Sequence, residues 1–224
     1  MESSVKACII NANTGNGWYP AGSERLRRSL LYHGYAHDMF IWNGWMNEEF
    51  KRNTPYNLKA AAWHEALQRD YDIILWLDSS VWAIKDPYIL LDVILKEGYY
   101  FWKSGYNCAQ TCSDKCLEYY GVTRDTAEGY LDCSTSMFGI HTANETAMQF
   151  INKWMQSARD GVFEGSRVHD FQSRDKRFLF HRQDQSAASM IIGEMGLHMY
   201  DPGIYSSYYQ PLQNDSVVFT MRGM

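Results

Sequence analysis

A carboxylate and two hydroxyl groups follow an apolar run in the first half of the sequence. The run, Ile73 to Leu77, is typical of a strand that is buried on both faces of a parallel sheet. It ends in Asp78, Ser79 and Ser80. Ligands of open α/β sheets bind just beyond the carboxyl ends of the strands. We therefore expect these three residues to contact a ligand, with a simple turn cap at Asp78 as the alternative.

Four of the five cysteines have a spacing that could bring their thiols together. Cys108, Cys112 and Cys116 occur at every fourth position, so a helix would place all three on one face. With Cys133 they could bind zinc, but zinc sites usually have closer, paired cysteines, which favours buried free thiols. The odd number of cysteines also suits a reducing compartment better than a disulfide framework.

The chain begins with the pattern of a nucleotide-binding α/β fold. An apolar run at 5–10 predicts a first strand, which leads into the turn-forming residues 11–17. A helix should follow, with Ser23 as its N-cap and Gly34 at its end. The glycine-containing loop matches neither the dinucleotide-binding pattern nor the P-loop, so by itself it is weak evidence for phosphate binding.

Two arginines on this first helix could carry charge for a phosphate ligand. Arg25 and Arg28 lie three residues apart, so they would share one side of the helix and could face a diphosphate. Basic side chains on helices are more often only solvated, which is the alternative here.

Apolar periodicity and turn residues predict the remaining elements. Strands are expected at 38–42, 99–102 and 134–141, and helices with their caps at 56–70, 86–98, 144–161 and 181–196. Residues 103–132 predict a partly helical insertion over the strand ends, and 163–177 predict a loop. The sequence contains no repeat and no linker, so we expect one α/β domain with a mixed, mainly parallel sheet flanked by helices.

Composition argues against two classes of protein. The net charge is −5, whereas nucleic-acid binders usually carry a basic excess, so we expect no nucleic-acid partner. No apolar segment approaches the length of a membrane span, and no signal peptide precedes the first strand, so we expect a cytoplasmic protein. The 16 Tyr, 10 Phe and 8 Trp suit either an aromatic core or a surface that stacks on sugars.

Three stretches, in this order along the chain, resemble glycosyltransferases of the GT-A fold. Residues 75–81 resemble the family's strand that ends in Asp-x-Asp, and 134–140 resemble its small-residue strand on the acceptor side. Residues 182–186 are similar to the Asp-Gln that opens a late helix in several of these enzymes. The resemblance covers about 5–205 and implies a single-domain, Rossmann-like GT-A fold. The compact size is also similar to the small glycosyltransferase domains of large algal viruses.

The resemblance implies that Asp78 holds the diphosphate end of a nucleotide-sugar through a divalent metal, Mn²⁺ or Mg²⁺, or holds a ribose hydroxyl. A metal would offset the negative charge that develops on the leaving diphosphate. Ser80 replaces the family's second aspartate, which weakens such a metal site. Arg25 or Lys59 could neutralise the diphosphate instead, although Lys59 could equally be an ordinary solvated lysine. His198 is a weaker candidate for a metal ligand.

The resemblance also assigns residues to the two substrates. Asp184 would lie nearest the reacting sugar, where it would accept hydrogen bonds from hydroxyls or act as a general base. The alternative is that Asp184 only caps its helix. Gln185, together with Asn11, Asn13 and Thr14 at the end of the first strand, would bind the nucleotide-sugar.

The predicted activity is therefore transfer of a sugar from a nucleotide-sugar, with a UDP-sugar as the expected donor, to a hydroxyl of a glycan or glycoprotein. Residues 1–102 would form the nucleotide-binding half of the domain, and 103–224 would form the acceptor side. Two alternatives remain open: a nucleotidyltransferase that makes a nucleotide-sugar, and a non-catalytic sugar-binding module.

Overall fold

A mixed sheet of five strands forms the centre of the computed structural model, which describes residues 5–165, 173–210 and 214–222. In chain order, the strands of the described residues are β1 Ala7–Asn13, β2 Asp38–Asn43, β3 Ile73–Leu77, β4 Val81–Ala83, β5 Tyr99–Tyr100, β6 Lys103–Asn107, β7 Leu131–Cys133, β8 Met137–His141, β9 Ser206–Tyr208 and β10 Phe219–Met221. The helices are α1 Tyr19–Tyr32, α2 Asn57–Leu67, α3 Tyr88–Glu97, α4 Cys108–Thr111, α5 Asp114–Tyr120, α6 Arg124–Glu128, α7 Glu145–Arg159 and α8 Asp184–Met195.

The central sheet has the strand order β2-β1-β3-β8-β5. Strand β1 pairs in parallel with both β2 and β3, whereas β8 is antiparallel to β3 and to β5. Four strands of this sheet therefore run in one direction and β8 runs against them. This confirms the prediction of a mixed, mainly parallel sheet.

Helices cover both faces of the sheet. One buried cluster joins α2, α7 and α8 to the sheet through large side chains such as Trp63, Phe138 and Trp154. The other cluster joins α1 and α3 to the opposite face, with Leu26 and Leu90 among its members. Strand β3 lies between the clusters and is buried at all five positions, as its continuous apolar run predicts.

Two small sheets complete the fold beside the central one. Strands β6 and β7 pair within the insertion at 103–132, which is partly helical as expected. Strand β10 pairs with β4 and with β9, and so returns the end of the chain to the segment that follows Ser80. The weak periodicity of this C-terminal segment did not predict β9 or β10.

Several predicted helix ends are confirmed. The Asn144 side chain accepts a hydrogen bond from the Ala147 amide at 2.9 Å, and so caps α7. Asp86 accepts from the Tyr88 amide at 2.9 Å in the turn that opens α3. Gly98 ends α3 with a φ of 89°, a conformation that glycine adopts without strain.

Some predicted boundaries are wrong. Helix α1 begins at Tyr19, with proline in its first turn, so Ser23 is buried inside the helix and is not its cap. The strand expected at 99–102 stops at Tyr100, and Trp102 makes only an isolated bridge to Tyr200. The loop predicted at 163–177 falls partly on 166–172, which lie outside the described residues.

Among the residues that the structure describes, we find no helix with the length and apolar character needed to cross a bilayer.

Candidate active site

Lys59 bridges the two aspartates that the sequence singled out. Its Nζ atom lies 3.0 Å from Asp78 Oδ1 and 2.9 Å from Asp184 Oδ2. Asp78 directly follows β3, Asp184 is the first residue of α8, and Lys59 is on α2, so three separate elements meet here. The fold therefore brings the predicted donor-binding and catalytic carboxylates into one cluster, which we call the carboxylate–lysine triad.

The triad is buried unevenly. The side chain of Asp184 is 3% exposed and that of Lys59 is 11% exposed, whereas that of Asp78 is 29% exposed. Asp78 Oδ1 accepts from Lys59 and, at 2.8 Å, from the Trp76 indole. Its second oxygen, Oδ2, accepts no hydrogen bond from the described part of the chain. Asp78 is thus the member of the triad that a ligand can reach first.

The charges of the triad depend on one another. Burial acts to lower the pKa of Lys59, but the charges of Asp184 and Asp78 outweigh it and raise that pKa, so the lysine stays protonated. Burial raises the pKa of Asp78, and the charge of Asp184 raises it further, while Lys59 opposes both effects. With both aspartates ionised, one cation faces two anions.

All three ammonium hydrogens of Lys59 have partners. Besides the two carboxylates, Lys59 Nζ donates to the Thr135 carbonyl at 3.1 Å. The Thr135 hydroxyl donates to Asp184 Oδ2 at 2.7 Å, so the segment before β8 also holds the catalytic candidate. Lys59 therefore acts first as the residue that positions both carboxylates, and the reading of Lys59 as a solvated lysine is wrong.

Helix α8 begins after a strained backbone position. Gln183 has a φ of 51°, the one positive φ of a residue other than glycine in the described parts of the chain. Its side chain donates to the Gly165 carbonyl at 3.0 Å, and the Trp154 indole donates to the Asp184 carbonyl at 2.9 Å. These contacts hold the start of α8 so that the Asp184 carboxylate enters the triad. Strain of this kind is concentrated at functional sites in proteins.

Because side chains alternate along a strand, those of Asp78 and Ser79 lie on opposite faces of the sheet. The Asp78 side chain is on the same face as Trp76, toward α2, whereas the Ser79 side chain is on the same face as Leu77, toward α1. The Ser79 hydroxyl lies 2.8 Å from the Ser23 hydroxyl and is buried. Ser79 therefore braces the end of β3 against α1 and does not face the triad.

Asn11 belongs to the same group of buried hydrogen-bonded side chains. Its side-chain amide donates to the Leu77 carbonyl at 2.7 Å and accepts from Ser23 at 2.7 Å. The side chain is fully buried, so in this arrangement Asn11 supports the end of β3 instead of facing a nucleoside. Gly22 is required nearby, since a Cβ atom there would collide with the Ser79 carbonyl oxygen.

Of the three residues predicted to bind the nucleoside, Thr14 is the one that borders an open cavity. Asn13 is buried, donates to Asn43 at 2.8 Å and accepts from the Gly15 amide at 2.8 Å. The cavity measures about 270 Å³ and lies at the carboxyl end of β1. It is lined by Thr14, Gly44, Trp45, Arg52, Asn53, Thr54, Pro55 and Leu58. Leu58 precedes Lys59 in the first turn of α2, so the cavity lies at the start of the helix that supplies the lysine of the triad.

The basic residues of α1 do not reach this cluster. Arg25 Nη2 donates to the Ser80 carbonyl at 2.9 Å and to the Arg222 carbonyl at 3.1 Å, and its guanidinium lies 4.2 Å from the centroid of the Trp82 ring. Arg28 is exposed and pairs with Glu24 at 2.7 Å. Arg25 thus fixes the segment after Ser80, and neither arginine is placed to face a diphosphate beside Asp78.

The donors present do not make a divalent metal site. Asp78 has one uncommitted oxygen, and the lysine ammonium occupies the space between the two carboxylates. The exposed His198 packs its ring against Tyr200, with 4.8 Å between centroids. No cluster of three His, Cys, Asp or Glu side chains within 5–165, 173–210 and 214–222 is arranged to share a metal. The assignment of Asp78 as a metal ligand therefore does not fit the geometry.

The cysteines are buried free thiols, the interpretation that their spacing favoured over a zinc site. Cys108, Cys112, Cys116 and Cys133 are all buried and unpaired. Helix α4 ends before Cys112, which is extended, so the three cysteines predicted to share one helix face lie on two short helices and the turn between them. Among the described residues, these thiols belong to no cluster of side chains that could share a zinc ion.

Asp132 is a buried carboxylate that the sequence analysis missed. It has no exposure, and it accepts from Thr111 and Ser189 at 2.9 Å each, from Gln185 at 2.5 Å, and from Ser104. Burial raises the pKa of Asp132 to about 6, although the hydroxyl donors oppose the shift. No motif marks this position, because its partners come from three separate elements, β6, α4 and α8.

Gln185 connects Asp132 to the surface. Its Nε2 donates to the Asp132 carboxylate, and its Oε1 accepts from Arg182 Nη2 at 3.0 Å. Both ends of the amide are therefore used inside the protein, which makes Gln185 a positioning residue next to Asp184.

Several solved structures with a similar fold are glycosyltransferases. The chain aligns with a glycosyltransferase involved in glycosylation of the major capsid of PBCV-1 at a TM-score of 0.55 and 11% identity, covering 96% of this chain and 94% of that one. Mouse xyloside xylosyltransferase 1 aligns at a TM-score of 0.54 and 9% identity, with 97% of each chain covered. The galactosyltransferase LgtC, solved with donor and acceptor sugar analogues, aligns at 0.51 and 13% identity, over 96% of this chain and 86% of that one.

At these identities the likeness establishes the fold alone: the chain has the GT-A fold of these enzymes. No protein-family model matches the sequence, and no curated protein matches it significantly.

Proposed function

We propose that the protein transfers a sugar from a nucleotide-sugar to a hydroxyl group of a glycan or glycoprotein. The observation that carries this proposal is the carboxylate–lysine triad at the carboxyl edge of the sheet, beside an open cavity. Ligands of α/β folds bind at this edge, and perturbed ionisable groups in a cleft are characteristic of active sites. The fold shared with glycosyltransferases adds to the proposal.

The nucleoside would occupy the cavity that Thr14 borders. An aromatic ring, hydroxyls, an amide and a guanidinium line this cavity, and such groups suit a nucleoside, which combines a flat base with ribose hydroxyls. The cavity lies wholly within residues 1–102, which we propose as the nucleotide-binding half. UDP-sugars are the first donors to test.

The diphosphate and the transferred sugar would lie over the triad. Asp78 offers its free oxygen to a hydroxyl of the ribose or of the sugar, and Asp184 contacts the reacting sugar. As negative charge develops on the leaving diphosphate, Lys59 can exchange its bond to the more exposed Asp78 for a phosphate oxygen. A preorganised cation of this kind can offset the negative charge of the leaving diphosphate.

The five cysteines are free and buried, which agrees with a reducing compartment. A cytoplasmic location stays a prediction.

The test is release of the nucleoside diphosphate from a panel of nucleotide-sugars, combined with thermal-shift measurements of their binding. We expect binding and slow release with at least one donor, with faster release when acceptor glycosides are added. Binding without any turnover would instead identify a sugar-binding module. Formation of a nucleotide-sugar from a nucleoside triphosphate and a sugar phosphate would identify a nucleotidyltransferase.

A further inference from the structure

Aromatic side chains and one arginine form a half-exposed rim on the side of the triad away from the nucleoside cavity. Tyr106 of β6 packs edge-on against Phe180, with 5.4 Å between ring centroids, and the Arg182 guanidinium lies 5.4 Å from the same Phe180 ring. Tyr208 of β9 packs on Trp102 at 5.6 Å. Tyr106 and Tyr208 are 37% and 43% exposed. We call Tyr106, Phe180, Arg182 and Tyr208 the aromatic rim.

The aromatic rim adjoins Asp184. Ser134 is near enough to the Tyr208 hydroxyl to act on its pKa, and it precedes Thr135, whose hydroxyl donates to Asp184 at 2.7 Å. Arg182 is two residues before Asp184 in the turn that opens α8. Burial raises the pKa of Tyr208, and the charges of Arg182, Asp132 and Tyr106 also act on it, so these groups lie near the Tyr208 hydroxyl.

Arg182 is held in a defined orientation by the buried residues Gln185 and Asp132. A carboxylate can only accept hydrogen bonds and a guanidinium can only donate them. Asp132 therefore turns Gln185 Nε2 toward itself, which leaves Gln185 Oε1 as the acceptor for Arg182. No ion pair within the described residues includes Arg182, whose side chain is half-buried, and we expect its guanidinium to face the ligand.

We propose that Tyr106, Tyr208 and Arg182 form the acceptor subsite, and that the acceptor is a neutral glycan. This inference rests on the proposed sugar transfer. A sugar ring offers C–H groups to the aromatic faces and hydroxyls to the guanidinium, and the rim supplies both kinds of partner beside the reacting centre. Asp132 acts as a positioning residue, through Gln185, on Arg182.

Charge favours a neutral acceptor over an acidic one. Three aspartates and two basic side chains surround the site, so it has an excess of negative charge: Asp78, Asp132, Asp184, Lys59 and Arg182. An acidic sugar would meet this excess and lose affinity. A peptide acceptor would leave the aromatic faces without their best partners.

The acceptor class can be tested with p-nitrophenyl glycosides of glucose, galactose and mannose, compared with the glucuronide and a serine-containing peptide. We expect transfer to at least one neutral glycoside to exceed transfer to the glucuronide or the peptide by about tenfold or more. Preference for the glucuronide or the peptide would overturn the inference.

The residues can be tested by steady-state kinetics on the preferred acceptor. Tyr208→Ala should raise the acceptor KM about tenfold, the loss expected for one stacking ring, with a far smaller change in the donor KM. Tyr208→Phe keeps the ring and should stay close to wild type. Tyr119→Ala removes another exposed tyrosine, on α5, and is the matched control.

Positioning by Asp132 predicts a specific coupling. Asp132→Asn should raise the acceptor KM in the wild-type background but add little to Arg182→Ala, because both changes disturb the same guanidinium. If the two substitutions raise the acceptor KM additively, Asp132 does not act through Arg182 and the positioning role is rejected. If transfer occurs but neither Tyr208→Ala nor Arg182→Ala alters the acceptor KM, the subsite is elsewhere and the proposed transfer stands. If no nucleotide-sugar binds, the proposed function itself fails.

Discussion

Lys59 and Asp184 form an ion pair of 2.9 Å between the first turn of α2 and the first residue of α8. Both side chains are almost wholly buried, and Asp78 is the third member of the group. Buried charges of this kind add little net stability compared with apolar residues, but the removal of one partner leaves an uncompensated charge. The geometry therefore predicts that single substitutions in the triad reduce stability, turnover or donor binding. These three effects can be measured separately.

Lys59→Met should destabilise the protein at pH 8 by about 3 kcal/mol, because it leaves two carboxylates facing each other without a cation. The loss should be smaller at pH 5, since burial and the charge of Asp184 already raise the pKa of Asp78, and without the lysine this carboxylate will become neutral by protonation. Urea denaturation at both pH values measures this. Lys96→Met, at an 82% exposed lysine, is the control and should change stability by less than about 0.5 kcal/mol. Equal losses for the two variants would contradict the role of Lys59.

The two aspartates of the triad should have separable effects. Asp184→Asn should lower turnover by about 100-fold or more while most of the donor-induced thermal shift remains, because Asp184 contacts the reacting sugar. Asp78→Ala should abolish the thermal shift by nucleotide-sugars, because Asp78 is the exposed carboxylate at the donor end. Full turnover in Asp184→Asn, or an unchanged shift in Asp78→Ala, would reject the corresponding assignment.

Removal of divalent metal should leave donor binding largely intact. The lysine ammonium already lies between the carboxylates, and Ser80 supplies no second carboxylate. The thermal shift by UDP should therefore be similar in EDTA and in Mn²⁺. A Mn²⁺-dependent shift that disappears in Asp78→Asn would show that a metal binds at Asp78 after all, and that it displaces Lys59.

The sequence could predict the ends of β3 and α8 because strong local signals mark both positions. Five consecutive apolar residues define the strand that delivers Asp78, and Asp184 stands where apolar periodicity begins again. The direction of each side chain was harder to predict. Asn11 shares its face of β1 with Ile9, and alternation turns that face toward α1, so the amide is buried. Which face stays open to a ligand depends on the packing of helices, and periodicity alone does not contain that information.

Residues outside motifs were not predictable. The carboxylate of Asp132 is hydrogen-bonded by Ser104, Thr111, Gln185 and Ser189, which the fold collects from three separate elements. Its neighbours in the sequence give no helical or strand pattern that would mark a buried charge. Buried carboxylates without a cation have to be found from tertiary contacts.

Asp132 should also give the protein a measurable dependence of stability on pH. The pKa of Asp132 is about 6 in the folded protein, above its ordinary value of about 3.9, so the folded state binds this proton more tightly than the unfolded chain does. Its contribution to stability is therefore fully present below about pH 4 and is lost as the pH rises through about 6. Asp132→Asn removes this titration. The free energy of unfolding of the variant, relative to wild type, should accordingly rise by about 3 kcal/mol between pH 4 and pH 8. Urea denaturation of both proteins across this range measures the difference, and Asp201→Asn, at a 66% exposed aspartate, is the control. A difference that does not change with pH would show that Asp132 keeps its ordinary pKa, in spite of its burial among neutral donors.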